Sequence, residues 1–149
     1  MGLDMYLKSS VYIGANYEHN EVSGIVDIKS KDQPIHLPLN KISEVILDIG
    51  YWRKANAIHD YFVNVVGNCD DDCRPIDVYG EDLENLRELC KKVLADHSLA
   101  KELLPTASGF FFGSTEYDDY YFEYLQDTIK IIDEALKTNN NHFIYQASW

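Results

Sequence analysis

A chain of 149 residues, 46% hydrophobic and 26% charged, has the size and composition of one globular domain with a core of its own. Its formal charge of −12 argues against direct binding of nucleic acid and against an anionic membrane surface, because affinity for phosphates comes from Lys and Arg displacing counterions. No stretch approaches the roughly 18–20 consecutive apolar residues of a membrane span, and the first residues lack the basic-then-apolar pattern of a signal peptide. Met1-Gly2 is followed at position 6 by Tyr6, where a myristoylation signal has Ser or Thr. The expected location is the cytoplasm. Three cysteines, Cys69, Cys73 and Cys90, cannot all pair with one another, which fits a reduced state. The charge is uneven: residues 67–149 carry 17 acids and 7 Lys/Arg, a net of −10, whereas residues 1–66 carry 8 acids and 6 Lys/Arg. A basic partner would feel the second half first.

Taken in chain order, "LDMYLKSSVYIG" is rich in β-favouring residues and predicts a strand over residues 3–13. "ANYEHN" has turn chemistry, and "EVSGIVDIKS" with "QPIHLPL" predicts a hairpin whose second arm is an edge strand because of Pro34 and Pro38. From Asn40 the period changes. Ile42, Val45, Ile49, Trp52, Ala55, Ile58, Phe62 and Val65 recur at steps of three and four and predict an amphipathic helix that Gly50 bends or interrupts. "GNCDDDCRP" predicts a loop, and residues 81–97 a second helix with Leu83, Leu86, Leu89, Cys90, Val93 and Leu94 inward. Glu81, Asp82 and Glu84 stand in its first turn, where the helix dipole favours anions. "SLAKELLP" adds a short helical piece, and "SGFFFGS" predicts a buried strand or extended linker with its phenylalanines inside. A last helix is predicted from Thr115 to Lys137, capped by Thr115 with Asp118 three residues on. "FIYQASW" closes as a short strand. The fold class is α+β: a single domain over residues 1–149 with a small antiparallel sheet and three main helices.

The last helix carries the densest recognition chemistry. Tyr121, Leu125, Thr128, Ile132 and Ala135 make a core stripe, widened by Phe122, Ile129 and Leu136. A neighbouring stripe holds Tyr117, Tyr120 and Tyr124, with Asp119, Glu123 and Asp127 beside it. Tyrosine is common at interface hot spots and acids steer a basic partner, so these six residues are the candidate partner-binding surface. The bland alternative is that the tyrosines cap a sheet edge with their hydroxyls in water.

"YWRKANAIHDYF" supplies a second cluster. Arg53, Asn56 and His59 fall on adjoining turns, and with Ser114 and Glu116 of the later "SGFFFGSTE" segment they form the candidate ligand-binding pocket, His59 being the one histidine in a setting suited to carrying a proton. Against that stands a helix in which Arg53 pairs with Asp60 or Asp71 and His59 is half-buried. "CDDDC" offers one pair at zinc spacing without a second, and three consecutive aspartates lack the spacing and glycine of a calcium loop, so no metal is expected. No G-x-S-x-G occurs and "GFFFGST" lacks the lysine of a phosphate loop, so no catalytic residue and no cofactor are assigned.

"MGLDMYL", "YWRKANAIHDYF", "LPTASGFFFGSTEYDDYYFEYL" and the terminal "YQASW" together resemble a family of small uncharacterised phage and prophage proteins. The resemblance reaches both ends and the middle of the chain. It implies a protein made during infection in the host cytoplasm, and it carries over no catalytic residues. The expectation is a non-enzymatic accessory protein that binds a basic protein partner and inhibits host defence or nucleic-acid-handling machinery. Two alternatives stand beside it: a small-ligand or nucleotide-binding protein or enzyme built on Arg53, Asn56 and His59, and a homodimer that buries the tyrosine stripe against its own copy.

Overall fold

The computed structural model describes residues 2–13 and 41–149, so the predicted turn over residues 15–20 and the hairpin over residues 21–39 lie outside the described residues. The elements are β1 (Asp4–Tyr12), β2 (Glu44–Arg53), α1 (Asn56–Asp60) running directly into a π-helical segment (Tyr61–Gly67), β3 (Ile76–Tyr79), α2 (Gly80–Ala95), a 3-10 turn (His97–Leu99), α3 (Ala100–Leu103), α4 (Asp119–Lys137) and β4 (His142–Ser148). The architecture is mixed α+β, with an antiparallel sheet in the order β2-β1-β4-β3. By internal contacts the chain divides into two units, residues 1–9 with 48–149 and residues 10–47. In the second unit, the Ile13 N–H donates to the Ser43 carbonyl at 2.8 Å and Ser10 bonds Glu44.

The sheet follows from period-2 alternation. Leu3, Met5, Leu7 and Ser9 are buried while Asp4, Tyr6 and Lys8 turn outward, and Phe143, Tyr145 and Ala147 do the same on β4. The register sets Met5 opposite Ala147, Leu7 opposite Tyr145 and Ser9 opposite Phe143, so the buried sets of the two strands share one face. Ile76 and Val78 extend that face on β3, where Val78 lies opposite Phe143.

The single helix expected from Asn40 to Val65 is instead a strand followed by a helix. Half of residues 44–53 are β-branched or aromatic (Val45, Ile46, Ile49, Tyr51 and Trp52), a composition that suits a strand. Lys54, with φ of 55°, turns the chain sharply between the two elements. Gly50 lets α4 approach β2 closely, because a Cβ there would lie 2.3 Å from Ile131 Cγ2. Trp52 completes the contact by donating its indole N–H to Thr128 Oγ1 at 2.8 Å. Beyond Ala55 the chain winds into α1 and then widens into the π-helical segment, where Tyr61, Phe62 and Val63 are buried in succession and Asn68 ends the winding at φ of 43°. Phe62 stacks on Tyr145 with ring centroids 4.2 Å apart, seating this helix on β4.

α2 begins with the Asp82 carboxylate accepting from the Tyr79 N–H at 2.8 Å, and it buries Leu83, Leu86, Cys90 and Val93. α4 starts later than expected. Its cap is Asp118, whose Oδ1 accepts from the Tyr121 N–H at 3.0 Å, because residues 114–117 are held as loop: the Thr106 hydroxyl donates to the Thr115 carbonyl at 2.8 Å. Its buried stripe is Tyr121, Tyr124, Leu125, Thr128, Ile132 and Ala135. Arg87 of α2 donates to Asp133 of α4 at 2.9 Å, tying the two helices at the rim. Phe62, Leu86, Val93, Leu125 and Ile132 are fully buried as expected, whereas Leu89 and Ile129 border the core. No helix among the described residues is long and apolar enough to cross a membrane.

Candidate functional site

The "GFFFG" stretch departs furthest from expectation. Residues 105–118 form neither a strand nor a helix, and the three phenylalanines take three different environments. Phe112 is 8% exposed, Phe111 is half-buried and Phe110 is 94% exposed. The run is not uniformly interior: Phe112 lies against His59 and Trp149, whereas Phe110 meets the Phe111 ring and is otherwise turned to solvent. Asn56, fully buried at the start of α1, holds the loop backbone. Its Nδ2 donates to the Phe112 carbonyl at 3.1 Å and to the Ser114 carbonyl at 2.8 Å, and its Oδ1 accepts from the Ala107 N–H at 3.1 Å. The Leu3 N–H donates to the Phe111 carbonyl at 3.1 Å, and the Phe112 N–H closes a turn on the Gly109 carbonyl at 3.2 Å. Gly113, at φ of 88°, makes the reversal that lets the loop pass the Lys54 side chain.

The first turn of α4 meets the same corner. The Tyr120 hydroxyl donates to the Arg53 carbonyl at 2.7 Å, leaving the ring about half exposed. Asp119, Glu123 and Asp127 are exposed at four-residue steps along one side of the helix, and Lys130 pairs with Asp127 at 2.8 Å. Tyr117 is half-buried and its hydroxyl accepts from the Thr106 N–H at 3.3 Å. Tyr124 belongs elsewhere: it is 7% exposed and packs on Tyr121, so its ring is core rather than the surface anchor expected from the stripe. A tyrosine at that helical phase serves either face, and here its ring packs edge to face with Tyr120 and Tyr121. Burial pushes the Tyr124 and Tyr121 phenols well above the ordinary tyrosine range.

The five residues of the second cluster have different engagements among the described residues. Asn56 spends its amide on the loop backbone, Ser114 meets it through its carbonyl, and the Ser114 hydroxyl accepts from the Glu116 N–H at 3.1 Å. Arg53 and Glu116 are exposed. His59 is 2% exposed rather than half-buried, and both of its nitrogens are engaged: Nδ1 with the Tyr145 hydroxyl at 2.7 Å and Nε2 with Asp71 Oδ2 at 2.9 Å. A carboxylate only accepts, so Nε2 carries the hydrogen, and with the imidazole neutral the Tyr145 hydroxyl donates to Nδ1. Burial holds the Tyr145 phenol far above its ordinary range, consistent with that donor role. Asp71 therefore pairs with His59, and not with Arg53. The cleft beside these bonds, lined by His59, residues 70–74 and Tyr145 among others, has room for about one water.

Cys69 and Cys73 are half-buried in the acidic loop, with Cys73 at φ of 62°, and Cys90 is buried, its thiol pushed up to about 12 by loss of solvent. Among the described residues no group of three or more His, Cys, Asp or Glu side chains is placed to hold a metal ion. Sequence reasoning missed Phe110 as the exposed ring and Asn56 as the residue that fixes its loop. No family model matches the chain, and no curated protein or solved structure matches it.

Proposed function

We propose that this chain is a non-enzymatic binding protein that engages a basic protein partner through Phe110, Tyr120 and the acidic row Asp119, Glu123 and Asp127. The observation that carries the proposal is Phe110: a ring 94% exposed, on a loop whose backbone is fixed on both sides. An exposed phenylalanine contributes almost nothing to its own fold. Covered by a partner it yields roughly 1.5–3 kcal/mol, and a fixed loop loses little freedom on binding. The exposed acids then speed encounter and select for a positively charged surface. The resemblance to phage and prophage proteins supports a host target, and the −10 charge of residues 67–149 supports one that handles nucleic acid with a basic groove.

Affinity capture from host extract, at low and high salt, tests the proposal with wild type, with Phe110→Ser and with the Asp119→Asn, Glu123→Gln, Asp127→Asn triple variant. The expected result is a partner retained by wild type, lost with Phe110→Ser, and bound more slowly and with flatter salt dependence by the triple variant. Equal retention by all three proteins would overturn it.

A further inference from the structure

The acidic loop and the Phe110 loop share one side chain between them. Asp71 uses both carboxylate oxygens: Oδ2 accepts from His59 Nε2 at 2.9 Å and Oδ1 from the Trp149 indole N–H at 3.2 Å. The two rings it holds are the two that grip Phe112. His59 meets Phe112 edge to face with centroids 5.0 Å apart, and Trp149 meets it edge to face at 6.0 Å. Behind His59 stands the Tyr145 hydroxyl at 2.7 Å, fixing the imidazole from its far side. Phe112 is thus gripped by two rings that both bond one carboxylate, two residues from the exposed Phe110.

We infer that Asp71 is a positioning residue for the Phe110 loop, acting through His59 and Trp149 so that the acidic loop controls how rigidly the anchor is presented. The mechanical coupling stands on the contacts alone. Its consequence for affinity rests on the binding role proposed for Phe110. Among the described residues Asp71 is the carboxylate of the loop that bonds these rings, and Asp72 is paired with Arg74. Removing Asp71 leaves the His59 N–H and the indole N–H without that acceptor; the Tyr145 hydroxyl still holds the far side of the imidazole, so the Trp149 ring is the freer of the two to turn. Asn56 still tethers the loop backbone, so the expected change is a loosened loop in an intact fold.

Amide hydrogen exchange of Asp71→Ala, with Asp70→Ala as a control for the same loss of charge, reads this directly. Exchange across residues 107–114 should quicken by about tenfold in Asp71→Ala, the effect of roughly 1.4 kcal/mol on local opening, while β1, β4 and α4 keep their protection. Trp149→Phe keeps a ring against Phe112 but removes the indole donor, and it should give a smaller increase in the same segment. Loop exchange equal in Asp71→Ala and Asp70→Ala, or loss of protection throughout the sheet in Asp71→Ala together with no change in Trp149→Phe, would overturn the inference. The two proposals fail separately. A loosened loop with capture unaffected by Phe110→Ser sinks the binding role and keeps the coupling, whereas an unmoved loop with capture lost in Phe110→Ser does the reverse.

Discussion

Asn56 and Phe112 are joined by a hydrogen bond of 3.1 Å across 56 positions of sequence, from the side chain of a helix start to the backbone of a distant loop. With the bonds to Ser114 and Ala107 it gives one buried carboxamide three partners in the same loop. Asn56→Asp replaces the Nδ2 donor with an acceptor facing two carbonyls, and Asn56→Ala removes all three bonds. Each substitution should cost roughly 2–4 kcal/mol, since buried donors and carbonyls are left unmatched. Chemical denaturation checks it: a loss under about 0.5 kcal/mol, the usual range for surface changes, would mean that the loop is not held by Asn56.

The core stripe of α4 makes a simpler claim. Leu125 and Ile132 are fully buried two turns apart, so trimming either to Ala should cost roughly 2–5 kcal/mol through lost burial and a residual cavity. An unchanged melting temperature in either variant would contradict the inward orientation of that stripe.

High pH should unfold the protein for an identifiable reason. Burial pushes the Tyr61 phenol up to about 12 from 10.0, with Asp82 adding to the effect, and the Cys90 thiol up to about 12 from 9.0. Tyr121, Tyr124 and Tyr145 move in the same direction, each chiefly through burial. The fold keeps protons that the unfolded chain releases, so this stability is fully present below pH 9 and declines as pH rises through about 12. Tyr124→Phe removes one of these phenols and should make the alkaline decline shallower. Denaturant midpoints measured against pH would show it, and an identical alkaline limb would contradict the burial assigned to Tyr124.

Much of this fold was legible in the sequence, because alternation in β1 and β4 and the three-to-four spacing in α4 each match one secondary structure well. The failures have physical causes. Val45, Ile49 and Trp52 recur at a helical period, yet residues 44–53 are a strand, and it is Gly50 and Trp52, two residues apart on one face, that meet α4. Four residues, Ile76–Tyr79, are too few for a period to show. Tyr124 lies at the boundary of two stripes, and its burial depends on what covers it. The candidate site was only half legible. The acids and Tyr120 reach the surface as their helical phase implies, but no local rule shows an asparagine in a helix spending its amide on a loop 56 positions away. That contact is what separates Phe112 from Phe110 in a run of three identical side chains.

The central claim is that Phe110 is the anchor of a protein-binding surface, and the affinity of Phe110→Ser for the captured partner tests it most directly. Wild type and variant should share the same melting temperature within error, because the ring is exposed, while the variant binds roughly ten- to a hundredfold more weakly, as loss of about 1.5–3 kcal/mol of burial requires. Equal affinity in the two proteins, with their folds equally intact, would contradict the account.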